Sequence, residues 1–104
     1  MNKLRRKEIL RIIELLRQMQ KQDLISDEEL SDICDQIREI YDEEEYYMDS
    51  IPENLQGGYR YDRAEEACDL LESAADSIEY AIGKDENKIS DSIDEAIQDL
   101  YDAM

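Results

Sequence analysis

The chain contains no histidine, no tryptophan and no phenylalanine, and only one proline, three glycines and two cysteines among its 104 residues. Each shortage excludes a kind of chemistry. Without histidine there is no Ser–His or Cys–His couple and no imidazole base. Two cysteines fall short of the roughly four Cys/His ligands that a zinc site takes. Cys34 and Cys68 form no C-x-x-C pair and fall on or beside apolar helix faces. They read as reduced, buried thiols that behave as small hydrophobes, and spacing alone establishes no disulfide. Three glycines form no phosphate-cradling loop, and Asp85-Glu86-Asn87-Lys88-Ile89-Ser90 departs from the calcium-loop pattern at several positions. Helical di-metal centres use Glu-x-x-His pairs aimed into a bundle core, whereas most acids here lie off the apolar phase. No signal-peptide core or membrane-length apolar run interrupts the charges. The expectation is a cytoplasmic, non-enzymatic chain that uses no metal or cofactor and spans no membrane.

What the chain has in excess is negative charge. Asp and Glu number 29 against 12 Lys and Arg, for a net −17. Residues 1–22 hold seven basic side chains (Lys3, Arg5, Arg6, Lys7, Arg11, Arg17, Lys21) against Glu8 and Glu14, a local +5. The remainder holds five basic against 27 acidic, a local −22. A basic first helix followed by acidic ones reads as an internal electrostatic complement, screened beyond about 10 Å at 0.1 M salt. Lys3, Lys7 and Arg11 share a helix face and would allow a few phosphate contacts, but the acidic remainder opposes direct binding of DNA or RNA.

The apolar residues make up the hydrophobic 41% and recur at helical spacing, which excludes a disordered tail. Residues 3–22 form a first helix on Ile9, Ile12, Ile13, Leu16 and Met19, widened by Leu10 and Leu15. Ser26-x-x-Glu29 is a capping box, and Ile25 with Leu30 is the matching hydrophobic staple, so a second helix starts near Asp27 and runs to about 48. The competing reading is one helix over 3–48, because the phase of Leu16, Met19, Asp23, Ser26, Leu30, Ile33 and Ile37 is unbroken. Glu44 falls in the core phase near the end of that helix and is expected to face solvent or meet a tyrosine hydroxyl. Pro52 and Gly57-Gly58 turn the chain, with Ser50 and Glu53 placed to cap one short turn. A third helix over 59–82 follows Ala64, Ala67, Leu71, Ala74 and Ile78, whose small residues admit a close neighbour. A fourth, over 86–103, uses Ile89, Ile93, Ala96, Ile97 and Leu100, and its phase also continues through Gly83. The fold class is all-α: one domain, an antiparallel bundle of three to four helices built on a long helical hairpin.

Met1-Asn2-Lys3-Leu4-Arg5-Arg6-Lys7 and the run Asp42-Glu43-Glu44-Glu45-Tyr46-Tyr47 through Ser50-Ile51-Pro52-Glu53-Asn54-Leu55-Gln56 to Arg60-Tyr61-Asp62 resemble short helical-hairpin proteins of phages and mobile elements of Gram-positive bacteria. The resemblance covers residues 1–20 and 36–82, with Ile51 to Gln56 its most specific part. It departs at Asp23–Asp35 and after Gly83. It implies a helical hairpin of mobile-element origin, acting in a bacterial host cell, and it brings no catalytic residues.

The acids fall in two rows with identical offsets: Glu28, Asp32, Asp35, Glu39, Asp42 on the second helix, and Glu65, Asp69, Glu72, Asp76, Glu79 on the third. Fourteen residues of helix rise about 21 Å. Ten carboxylates over that length approach the ~12 charges of duplex DNA, provided the rows lie side by side on helices 8–10 Å apart. A net charge of about 2–8 suffices for solubility, so the excess points to a partner: a basic, nucleic-acid-binding host protein, blocked by mimicry of a phosphate backbone. Tyr41, Tyr46, Tyr47, Tyr59 and Tyr61 cluster around the Pro52 turn. They either pack that end or, with Tyr46, Tyr47, Tyr59 and Tyr61 as anchors, contact the partner. The alternative is an assembly protein, a homodimer through the wide apolar face of the first helix, whose acids serve only solubility.

Overall fold

A computed structural model describes residues 1–22 and 25–104. It contains four helices, α1 (Lys3–Gln20), α2 (Asp27–Asp49), α3 (Tyr59–Ala81) and α4 (Glu86–Ala103), with a 3-10 turn over Glu53–Leu55. There is no strand among the described residues. The fold is all-α.

Local chemistry accounts for each boundary. Asn2 opens α1 by accepting the Arg5 N–H at 2.8 Å. Ser26 opens α2 by accepting the N–H of Glu28, at 3.1 Å, rather than that of Glu29. The first arm of the expected capping box is therefore displaced by one residue. Ile25 packs on the core beside buried Leu30. α1 ends at Gln20 and α2 starts at Asp27, so the single-helix reading over 3–48 does not hold. Asp23, on which its phase depended, lies outside the described residues. Ser50 does not start the short turn. It closes α2, its hydroxyl donating to the Tyr46 carbonyl at 2.7 Å, and Pro52 precedes the turn without a side-chain cap. Between α3 and α4, Gly83 takes φ 80°, a left-handed conformation open to glycine at no steric cost. Its N–H donates to Asp27 at 3.1 Å, which ties this turn to the start of α2. Asp85 then caps α4.

The helices run up, down, up, down in a rod of 51 × 21 × 19 Å. Cys34 meets the Ala75 carbonyl, Ser73 meets Asp99, and Gln20 meets Asp94, so each helix lies antiparallel to its neighbours and α4 closes on α1. Ala64, Ala67, Ala74, Ala75 and Ala81 are buried on α3, and these small side chains let α2 and α4 approach it more closely than either approaches α1. The core is built from Ile9, Ile12, Leu16, Leu30, Ile37, Leu71, Ile78, Ile93 and Leu100, all fully buried. Each is worth about 1.5–3 kcal/mol of transfer free energy.

Glu44 corrects the sequence reading. Its apolar phase was truthful, and the side chain is 0% exposed. Arg5 donates its Nε–H to Glu44 Oε2 at 2.7 Å, and the α-amino group of Met1 stands 3.7 Å from Oε1. A buried carboxylate persists only where a counter-charge reaches it, and two from the start of α1 do so here.

Both cysteines are free and buried. Burial pushes the Cys34 thiol up, and pushes Cys68 up from 9.0 to about 12 with the help of Glu44 and Glu45. Tyr41 is likewise raised from 10.0 to about 12, first by donating to Glu45 and then by burial. Since the folded values exceed the unfolded ones, the stability these groups contribute is complete below pH 9. It is lost as pH rises toward about 12. Two outcomes are expected: no thiol labelling by a disulfide reagent at neutral pH until denaturant is added, and a midpoint in denaturant that falls steadily above pH 9. Fast labelling of Cys68 in the native chain would contradict this packing.

Candidate functional site

All ten carboxylates of the two rows are exposed. On α2 the row stands opposite the buried Leu30, Ile33, Ile37 and Ile40, so it runs along the outer ridge of that helix. On α3 the buried face packs on both α2 and α4, and the row runs along its exposed side between them. Glu79 and Asp76 reach Arg38 of α2, while Asp69, Glu72 and Asp76 border the groove with α4. The two rows are neighbours and meet only in part. Asp42 joins Glu72 and Asp76 in lining a groove between α2 and α3, together with Arg38 and Tyr41. Asp32 instead lines the groove between α1 and α2, and Glu28, Asp35, Glu39 and Glu65 line none of the grooves described here.

The larger convergence is between α3 and α4. Asp69, Glu72 and Asp76 face Asp91 and Glu95 across a groove of about 710 Å3, with Tyr80 and Lys88 also in its lining. Glu72 and Asp76 border both grooves, which makes α3 the centre of the anionic surface. The contribution of α4 was missed in the sequence, although a signal existed: Asp91, Glu95 and Asp102 occupy three of four positions with the same offsets, and Gln98 interrupts them.

The positive charges are placed otherwise than the sequence suggested. Among the described residues, no ion pair joins α1 to either row. Arg5 is used by Glu44, Arg11 pairs with Glu8 on its own helix, and Arg17 lies over the Tyr101 ring at 5.5 Å. The expected internal complement is therefore confined to Glu44, because α3, where the carboxylates concentrate, is diagonal to α1. Among the described residues, the cation that forms ion pairs with a row is Arg38 of α2, which reaches Glu79 at 2.6 Å and Asp76 at 3.8 Å. The Glu79 hydrogen bond raises the Arg38 pKa. Glu65, Asp69 and Glu72 have no ion pair among the described residues.

The tyrosines divide. Tyr46 and Tyr59 are exposed, while Tyr41, Tyr47 and Tyr61 are half-buried. Tyr47 carries Arg5 over its ring at 5.7 Å, and Tyr59 carries Arg63 at 6.0 Å. The Pro52 end therefore holds its own cations, separate from the anionic ridge. Among the described residues no group of three or more His, Cys, Asp or Glu side chains is arranged to hold a metal ion, and no helix is long and apolar enough to cross a membrane. Compared with known proteins, the chain matches no family profile, no curated protein and no solved structure.

Proposed function

We propose that this chain is a non-enzymatic binding protein that sets its α3-centred carboxylate surface against a basic, nucleic-acid-binding surface of another protein. The observation that carries this reading is the sharing of Glu72 and Asp76 by two adjoining grooves, flanked by Asp42 of the α2 row on one side and by Asp91 and Glu95 on the other. Fixed carboxylates on a rigid rod attract cations without reorganising, and like-charge neighbours along a helix cost a few tenths of a kcal/mol each. Retaining that many is reasonable where a partner neutralises them. The resemblance of the N-terminus and turn to phage and mobile-element hairpins makes a bacterial host protein the partner, blocked by occupation of its nucleic-acid surface.

The competing reading, assembly through α1, draws on the exposure of Leu4 and Leu10. The residues it first relied on, Ile9, Ile12 and Leu16, are spent in the chain's own core. One experiment separates the two. The immobilised chain is incubated with bacterial lysate and eluted with duplex DNA, and the eluate is identified by mass spectrometry. Mimicry predicts nucleic-acid-binding proteins that DNA releases. Assembly predicts that the chain recovers itself, and that Leu4→Ser with Leu10→Ser abolishes this.

A further inference from the structure

The turn at Pro52 takes no part in that reading, yet it forms an apolar concavity at the end of the rod. Tyr47, Ile51, Pro52, Leu55 and Tyr59 line a groove of about 550 Å3 at the end of the bundle. Around it large side chains stand free: Tyr59 is 77% exposed, Tyr46 76% and Leu55 56%. An exposed aromatic and aliphatic cluster of this kind marks an interaction surface.

Its charge is unlike the rest of the molecule. The four other grooves described here each include carboxylates in their lining. This one has none, and its single charged member is Arg60. Arg63 lies over the Tyr59 wall, whereas Arg5 over Tyr47 is already neutralised by Glu44. Gly58 begins α3 without a side-chain cap, and the first turn carries Arg60 together with Asp62. Asp62 already answers part of the helix dipole, and Arg60 is the charge that borders the groove itself. Arginine in a first helical turn opposes the dipole, a placement that costs stability unless an anion is shared with it.

We infer that the groove is a docking site for a short apolar segment of a partner protein that carries a carboxylate. The apolar side chains would cover Ile51, Pro52 and Leu55 between the two tyrosines, and the carboxylate would meet Arg60. A polyanion is disfavoured, because the −17 charge of the chain opposes it over the whole rod. A single carboxylate beside Arg60 feels that guanidinium within the screening distance of about 8–10 Å. A second copy is disfavoured as well. It would bring a further −17, and the end of the rod measures only 21 × 19 Å, well below the ~800 Å2 per partner of a stable interface.

The test uses the isotope-labelled full chain and two synthetic helical peptides with the same Leu and Ile spacing, one flanked by Glu and the other by Lys. The Glu peptide is expected to shift the backbone amide signals of residues 47–60 and to spare those of α4. Arg60→Glu and Leu55→Ser should each weaken it by about tenfold, with unchanged thermal unfolding because both positions are exposed. The Lys peptide should instead shift α3 and α4. The inference is overturned if the Glu peptide leaves residues 47–60 unmoved at about 1 mM, or binds both variants as well as the original. It is equally overturned if a duplex oligonucleotide takes the site, or if sedimentation shows a dimer that Tyr59→Ser dissolves. Reversal of the α3 carboxylates leaves this groove intact, so failure of the mimicry reading and failure of this one are told apart.

Discussion

Glu44→Ala is expected to be the most damaging single substitution of a charged residue in this chain, lowering stability by about 3–5 kcal/mol. Alanine leaves Arg5, its side chain only 11% exposed, and the Met1 amino group without the carboxylate that neutralises them. A domain of this size holds only about 5–15 kcal/mol in total, and each lost kcal/mol lowers its melting temperature by about 4–8 °C. A fall of roughly 15–25 °C should follow. The neighbouring Glu43→Ala, at an exposed position, should stay within about 0.5 kcal/mol. Removing both charges relieves the problem, so Glu44→Leu combined with Arg5→Met should be much less harmful than the sum of the single changes. Equilibrium denaturation of these three variants, with Glu44→Leu and Arg5→Met alone, decides the matter, and equal midpoints for Glu43→Ala and Glu44→Ala would refute this pairing. Arg5 also lies over Tyr47, a wall of the Pro52 groove. Loss of Glu44 should therefore broaden the amide signals of that groove before the bundle melts.

The second large effect concerns binding. Glu65→Lys, Asp69→Lys and Glu72→Lys together are expected to abolish capture of the DNA-releasable proteins from lysate, while thermal unfolding changes little. All three side chains are exposed and have no described ion pair on the rod, so reversal removes no internal contact. The net charge rises by six, from −17 to −11, and the change is concentrated on one ridge. Each reversed residue puts a like charge against the partner, which costs more than mere neutralisation. Interactions of this kind fall steeply with salt. Affinity for the unaltered chain should drop by about tenfold or more between ~50 and ~200 mM. A captured set that is the same for the triple variant, or that survives high salt unchanged, would rule out mimicry.

Much of the architecture was legible in the sequence because its signals are local. Periodic Ile and Leu, the Ser26 cap, Pro52, and glycine at 57, 58 and 83 each act within a turn or two of chain. Most helix limits follow from them, whereas the Asp85 cap of α4 emerged only in the structure. The site was less legible. A row of acids on one helix is a property of that helix, so its exposure followed from phase alone. Which rows adjoin depends on how the helices are rotated about their axes, and α3 packs its alanine face between α2 and α4 while Glu72 and Asp76 border the grooves toward both.

Glu44 shows the same division at a single residue. Its heptad position placed it inside, and composition argued that a carboxylate belongs outside. The conflict was resolved by Arg5, a residue 39 positions away along the chain. The chain alone therefore settled the helices, their apolar faces, the acidic character and the lack of histidine-dependent chemistry, since these arise from composition and short-range spacing. Packing settled which charges are paired, that α4 completes the anionic groove, and that the groove at the Pro52 turn is apolar with Arg60 as its one charged lining residue. Those outcomes depend on long-range juxtaposition, which no spacing pattern encodes.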